Sequence, residues 1–220
     1  MTDRTPRTPA SLVIYDLDGV ITTRDTFTAL VARRLLRAPH RLLRALPAVA
    51  KMLLGDENQR HGAARKAAHI ALAGLDGEQC AKLARQLGEA IGRDPRWVRG
   101  SVVERIRQQK REGRAIVIAT ATERQLAQSL LAEADIPYDV LSASEVLHDG
   151  RSLRFKDHRV GERKLESLRE QGIPIEVAEF VTDSYTDAPT ARAAGRVTLI
   201  GSSAKTRARY AADGLAFTTA

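Results

Sequence analysis

Residues 11–23 read SLVIYDLDGVITT, an apolar run that stops abruptly at two aspartates one residue apart. Leu12, Val13, Ile14 and Tyr15 are too few for a helix and rich in β-branched and aromatic types, so they predict a short buried strand. Asp16 and Asp18 follow at its carboxyl end, the edge of an open parallel sheet where ligands bind. Gly19 lets the backbone turn sharply with its amides close to an anion. Two carboxylates at this spacing repel each other, and a bound divalent cation or a retained proton relieves such a pair.

Downstream of this strand the pattern becomes helical. Phe27, Leu30, Val31 and Leu35 recur at threes and fours, as do Leu42, Leu43, Leu46, Val49 and Leu53, and later Cys80, Leu83, Leu87 and Ile91. Breaks fall at Ala38-Pro39, Gly55-Asp56, 74–77 and 92–95. Three or four antiparallel helices are predicted, forming a unit at 24–97 inserted into a sheet domain made of 1–23 and 98–220. Beyond it, helices are predicted over 102–112, 123–134, 160–171 and 186–194, and strands over 115–119, 138–141, 179–182 and 197–200. Asp149-Gly150, set between alternating apolar residues, predicts a hairpin over 147–153. Residues from 202 onward carry no clear pattern. Strands alternating with helices at these lengths imply an α/β fold with a doubly wound parallel sheet and an inserted α-helical bundle cap.

A chain of 220 residues can bury one sizeable core and a small accessory unit. Hydrophobic residues at 43% and charged ones at 28% argue against disorder, and no run approaches the roughly 18 apolar residues of a membrane span. The start, MTDRTPRTPA, predicts a loose tail and not a signal peptide. A lone Cys80 forms no internal disulfide, which makes a cytoplasmic location the expectation. The net charge of +8 sits in one segment: 24–100 holds 15 Lys/Arg against 7 Asp/Glu, and the rest balances. Within it, 26–55 carries Arg33, Arg34, Arg37, Arg41, Arg44 and Lys51 and no acid. Such a surface meets phosphates, nucleic acid or an anionic membrane, or is a solvated helix face of an Arg-rich protein.

Four strand or helix ends carry polar groups in order: Asp16 and Asp18, Thr120, Lys164, then Asp183 with Asp187. In a doubly wound fold the strand carboxyl ends open on one edge, so these residues can converge. Three or more carboxylates suit Mg²⁺, a lysine and a hydroxyl with nearby amides supply positive potential for a phosphoryl group, and one carboxylate can be a nucleophile. Read singly, Thr120 could cap the next helix, Lys164 could be solvated, and Asp183 with Asp187 could serve a helix N-terminus. Their order and placement favour the joint reading.

These residues resemble the motifs of the haloacid dehalogenase superfamily. Asp16-Leu17-Asp18-Gly19-Val20 is similar to its DxDG(T/V) motif, Ile118-Ala119-Thr120-Ala121-Thr122 to its second, Lys164 to its third, and Asp183-Ser184-Tyr185-Thr186-Asp187 to its fourth. The resemblance covers 11–201. The insert at 24–97 is similar to the helical C1 cap of the phosphoserine phosphatase-like branch, and its Arg/Leu content also resembles phosphatases of lipid and prenyl phosphates. The resemblance implies a Rossmann-like core and an Mg²⁺-dependent phosphatase acting through an aspartyl-phosphate. It implies that Asp16 is the nucleophile, that Asp18 is the general acid and base, and that Thr120 and Lys164 hold the phosphoryl group. Asp16, Asp18, Asp183 and Asp187 would serve the metal, and Gly19 and Ala121 would join the substrate site. Lys156 rivals Lys164 for the lysine role, but Lys164 opens a helical pattern just before the next strand.

Val20 departs from the commoner threonine, and Asp25 stands where phosphoserine phosphatases carry a glutamate that meets the substrate amine. The expected substrate is therefore a small phosphorylated molecule, phosphoserine or a lipid or prenyl phosphate. The Leu/Arg alternation near 35–54 would suit peripheral contact with an anionic membrane, and packing of the cap explains those leucines equally well. A phosphomutase on the same scaffold stays open, as does a non-catalytic polyanion- or membrane-binding protein. Nucleic acid is the less favoured partner, since only 4% of residues are aromatic and no recognisable nucleic-acid module is present. Oligomeric state is not legible.

Overall fold

The computed structural model describes residues 12–54, 57–149 and 152–220. The amino-terminal tail, the predicted break at Gly55-Asp56 and the predicted Gly150 turn fall outside them. Strand β1 (Leu12–Tyr15) lies at the centre of a seven-stranded sheet ordered β4-β3-β2-β1-β5-β6-β7. β2 (Ala115–Glu123) and β5 (Glu179–Thr182) flank it in parallel, β3 (Val140–Asp149) and β6 (Arg196–Leu199) extend the parallel set, and β7 (Thr218–Thr219) closes one edge. β4 (Ser152–Asp157) runs antiparallel to β3 at the other edge, the strand pair of the predicted hairpin.

Alternation along β1 builds the two sides of the core. Val13 and Tyr15 pack with Ile116 and Ile118 on one face, Leu12 and Ile14 with Val117 and Ala119 on the other. The first face is covered by α4 (Gly77–Arg93), α5 (Gly100–Arg111) and α6 (Arg124–Glu133), the second by α7 (Glu162–Glu170), α8 (Ala188–Ala193) and α9 (Ala204–Ala212). α1 (Thr26–Leu36), α2 (Pro39–Leu54) and α3 (Glu57–Leu72) share a smaller cluster of their own around Leu35, Ala45, Ala71 and Leu72. Of the four helices inside 24–97, α4 is set apart by its packing. Its Ala84, Leu87 and Ile91 belong to the cluster on the sheet. Its Gly88 and Gly92 lie so close to α6 that a Cβ would stand 2.5 Å from the Leu126 carbonyl oxygen and 2.8 Å from that of Leu130, respectively.

Two predicted strands run further than expected, and the tail holds two elements that were not predicted. β3 does not stop at Leu141 but runs to Asp149, because Ser142 and Ser144, which break the apolar run, are fully buried and hydrogen-bonded. Arg159 Nη1 donates to Ser142 Oγ at 2.9 Å and the Arg159 amide to Ser144 Oγ at 3.0 Å. β2 runs four residues beyond the predicted end, to Glu123, through a register shift after Thr120. The tail holds α9, which Ser203 caps and Tyr210 anchors, and β7; one apolar anchor per helix is too sparse a pattern to read. Among the described residues no helix is long and apolar enough to cross a membrane.

Candidate active site

Asp16 leaves β1 with its amide bonded to the Val181 carbonyl of β5 at 2.9 Å, so the neighbouring strand fixes where its side chain starts. Its carboxylate Oδ1 accepts the Leu17 amide at 2.9 Å and meets Lys164 Nζ at 3.2 Å. Lys164 enters from the first turn of α7, 3% exposed, and its ammonium also reaches Asp187 Oδ1 at 2.6 Å. Asp187 Oδ2 accepts the Thr182 hydroxyl at 2.7 Å, which orients the second carboxylate. Lys156, the rival, pairs instead with Glu145 at 3.2 Å on the exposed edge hairpin. The structure thus brings Asp16, Lys164 and Asp187 together and leaves Lys156 outside.

After Asp16 the chain makes a tight turn over Leu17–Ile21 in which Gly19 takes φ +75°. A Cβ there would lie 2.1 Å from Asp183 Oδ2, so the absence of a side chain at Gly19 lets the β5 carboxylate sit against the β1 turn. Gly19→Ala is accordingly expected to lower stability by about 2 kcal/mol or more, from the positive φ and the displaced carboxylate together. A thermal melt checks this, and an unchanged melting temperature would mean that Asp183 can move aside freely.

Asp18 is held on both oxygens. The amide of Thr26, at the start of α1, donates to Oδ1 at 2.8 Å, and the Thr122 hydroxyl donates to Oδ2. The Thr26 and Thr122 hydroxyls touch at 3.0 Å, so the first turn of α1 and the end of β2 clamp one carboxylate. Neither threonine was singled out as a site residue in the sequence; the only signal was a threonine at a strand end and another after Asp25. Thr120 is fully buried and its Oγ1 accepts the Thr122 amide at 3.0 Å, leaving its own proton to donate. It does not cap α6, a task taken by Glu123, whose carboxylate accepts the amides of Gln125 and Leu126. Ala121 follows it on β2, half-buried. Asp25 is exposed and its carboxylate caps α1 by accepting the Thr28 amide.

Electrostatics sharpen the picture. Burial raises the Asp16 carboxyl well above the ordinary range; Lys164 pulls it back, while Asp187, Asp18 and Asp183 push it further up. Burial, then the charge of Asp25, pushes Asp18 up to about 6, against the hydrogen bonds from Thr122 and Thr26. Burial and then Asp187 push Asp183 up to about 6. Burial alone would lower the Lys164 ammonium, and Asp16 with Asp187 outweigh it, so it is raised. Crowded carboxylates with one lysine among them leave negative charge uncompensated, which a cation would relieve. The Asp16 and Asp183 carboxylates are hard oxygen donors of the kind that Mg²⁺ takes. Among the described residues no group of three His, Cys, Asp or Glu side chains is gathered closely enough to hold a metal ion by itself.

Comparison with known proteins agrees with this architecture. The chain is similar in fold to a protein with unknown function from Bordetella pertussis Tohama I (20% identity, TM-score 0.72, covering 96% of this chain and 99% of that one). It is likewise similar to a phosphoserine phosphohydrolase-like protein from Francisella tularensis subsp. tularensis SCHU S4 (15% identity, TM-score 0.63, 96% and 94%). A phosphoserine phosphatase solved as a phospho-aspartyl intermediate analogue shares the fold at 15% identity and TM-score 0.56, with 92% and 91% covered. No curated protein matches in sequence. The model of the haloacid dehalogenase-like hydrolases matches residues 13–192, a span that includes every aspartate, threonine and lysine placed above, and the chain belongs to that family.

Proposed function

We propose that this hydrolase is an Mg²⁺-dependent phosphatase that cleaves phosphomonoesters through an aspartyl-phosphate on Asp16. The observation that carries the reading is the Asp16 carboxylate, buried at the end of the central strand and braced by Lys164. Both bracing contacts fall on Oδ1, which leaves Oδ2 as the oxygen to attack phosphorus. As the Oδ2–P bond forms, the bond to the leaving oxygen breaks, and Asp18 gives that oxygen its proton. Its carboxyl, pushed up to about 6, is suited to hold a proton near neutrality and to take one back from water when the acyl phosphate is hydrolysed. In this reading Lys164 and the Thr120 hydroxyl would hold phosphoryl oxygens. The Asp16 and Asp183 carboxylates and the Asp18 carbonyl would hold Mg²⁺, with Asp187 directly or through water. The ion supplies charge neutralisation between carboxylate and phosphate.

The substrate class is a phosphorylated small molecule, with phosphoserine or a lipid or prenyl phosphate as the two candidates. Asp25 caps α1 through Oδ1 and keeps its second oxygen and its charge exposed, so the cap does not decide between the two candidates. The test is phosphate release from an aryl phosphate with Mg²⁺. Activity is expected with the metal and none after chelation by EDTA. Mg²⁺ at a hundredfold excess over its dissociation constant is expected to stabilise the fold by about 2.7 kcal/mol, seen as a higher melting temperature. Turnover that survives EDTA would overturn the metal-dependent reading. Phosphoryl transfer to a second hydroxyl in place of water would move the protein to the mutases.

A further inference from the structure

We propose that the outer surface of α1 and α2 docks on an anionic lipid bilayer. Of the six exposed large apolar side chains among the described residues, four stand there: Leu36, Leu43, Leu46 and Leu54, between 49% and 87% exposed. At 100° per residue, Leu43, Leu46, Ala50 and Leu54 form one strip on the outward side of α2, and His40, Arg44 and Lys51 form a second strip beside it. The inward side holds Ala45 and Ala48. Arg41 also turns inward, donating to the carbonyl oxygens of Ala71 and Ala73, so its charge is already used. Pro47 lies within the helix and is exposed on the same outward side.

Along α1 runs an open groove of about 540 Å³, lined among others by Arg24, Asp25, Arg33, Leu36, Arg37 and Trp97, with the Arg24 guanidinium over the Trp97 ring. The occupant follows from the charge. Elsewhere surface arginines meet carboxylates, as Arg93 meets Glu133 and Arg163 meets Asp157 and Glu170. The 26–55 segment has six Lys/Arg and no acid of its own. A second copy would bring the same charge against it. A nucleic acid would answer the charge and leave the leucines in water. An anionic bilayer answers both, with acyl boundary for the leucines and headgroups for Arg37, Arg44 and Lys51. Because the Thr26 amide at the start of α1 holds Asp18, the helix that reaches the lipid begins at the site.

This docking does not depend on the phosphatase reading, and its test needs no turnover. The probe is flotation with vesicles of equal phosphatidylglycerol and phosphatidylcholine, against pure phosphatidylcholine, at 0.1 M salt. The full chain is expected to float with the anionic vesicles and to bind the neutral ones at least tenfold more weakly. Leu43→Ser/Leu46→Ser and, separately, Arg37→Gln/Arg44→Gln/Lys51→Gln are each expected to lose about tenfold or more in partition. These positions are exposed or, for the charges, solvent-facing, so the variants keep the fold. No flotation of the wild type overturns the proposal. So does a result in which the charge variant loses binding and the leucine variant keeps it, which marks a plain polyanion site. A leucine variant that still floats but changes from dimer to monomer in sedimentation assigns the face to a second copy instead.

Discussion

Asp16→Asn is expected to lower phosphate release from an aryl phosphate by about 10⁴-fold or more while leaving the protein folded. The first half follows from removing the attacking oxygen: when a nucleophile is lost, only binding and electrostatic stabilisation remain. The second follows from the charges around it. The Asp16 carboxyl is raised well above its ordinary range, so at neutral pH its ionised form costs the native state stability. An amide removes that cost, and Lys164 keeps Asp187 at 2.6 Å as a partner. The melting temperature of the metal-free protein should therefore hold or rise. The stabilisation by Mg²⁺ should shrink, because one of the carboxylates proposed to hold it is gone. Residual activity within tenfold of wild type would remove Asp16 from the nucleophile's role.

Lys164→Met is the second large effect, and it strikes folding as well as rate. Methionine fills much of the same volume without charge, so Asp16 and Asp187 are left facing each other in a buried site beside Asp183. Breaking a buried ion pair from one side costs about 3–5 kcal/mol, or roughly 10 °C or more in melting temperature for a chain of this length. The pH dependence identifies the cause. A carboxyl whose folded pKa lies above its unfolded one binds its proton more tightly in the native state, so stability falls as pH rises through that folded value. Asp16 is raised and Asp183 is pushed up to about 6 even with the lysine present. Without it both move higher, and the deficit should be largest near pH 8 and shrink towards pH 5. A deficit constant across that range would mean that the lysine acts through packing and not through charge.

Much of the site was legible because parallel strands buried on both faces read as continuous apolar runs, and the polar residue that ends each run marks the ligand edge. Val13 to Asp16 and Phe180 to Asp183 are such endings. The preference for Lys164 over Lys156 rested on one helical pattern just before the next strand, and the contacts came only with three dimensions. Both lie in charged segments, and only the fold shows one on the exposed hairpin edge and the other buried against Asp16. Thr26 and Thr122 left little trace, since a hydroxyl or an amide aimed at Asp18 alters no periodicity. Ser142 and Ser144 misled in the opposite sense: polar residues in a strand are read as its end, unless a distant arginine satisfies them. For α4 the apolar repeat of Cys80, Leu83, Leu87 and Ile91 announced a helix with one buried face. It could not say whether that face lay on the other cap helices or on the sheet.

The glycine seam between α4 and α6 governs how this molecule can be taken apart and rejoined. Gly88 and Gly92 admit the α6 backbone so closely that α4 and α6 behave as one piece of masonry. An exchange of the whole 24–97 segment with a relative would import a foreign helix against Leu126 and Leu130, where even a methyl group has no room. A joint cut in the turn at 73–76 leaves that seam whole and moves only α1 to α3. Recombinants made there carry over the basic strip whole and keep the native Trp97 as one wall of the groove, which makes the turn the natural border for building hybrids with altered surface preference.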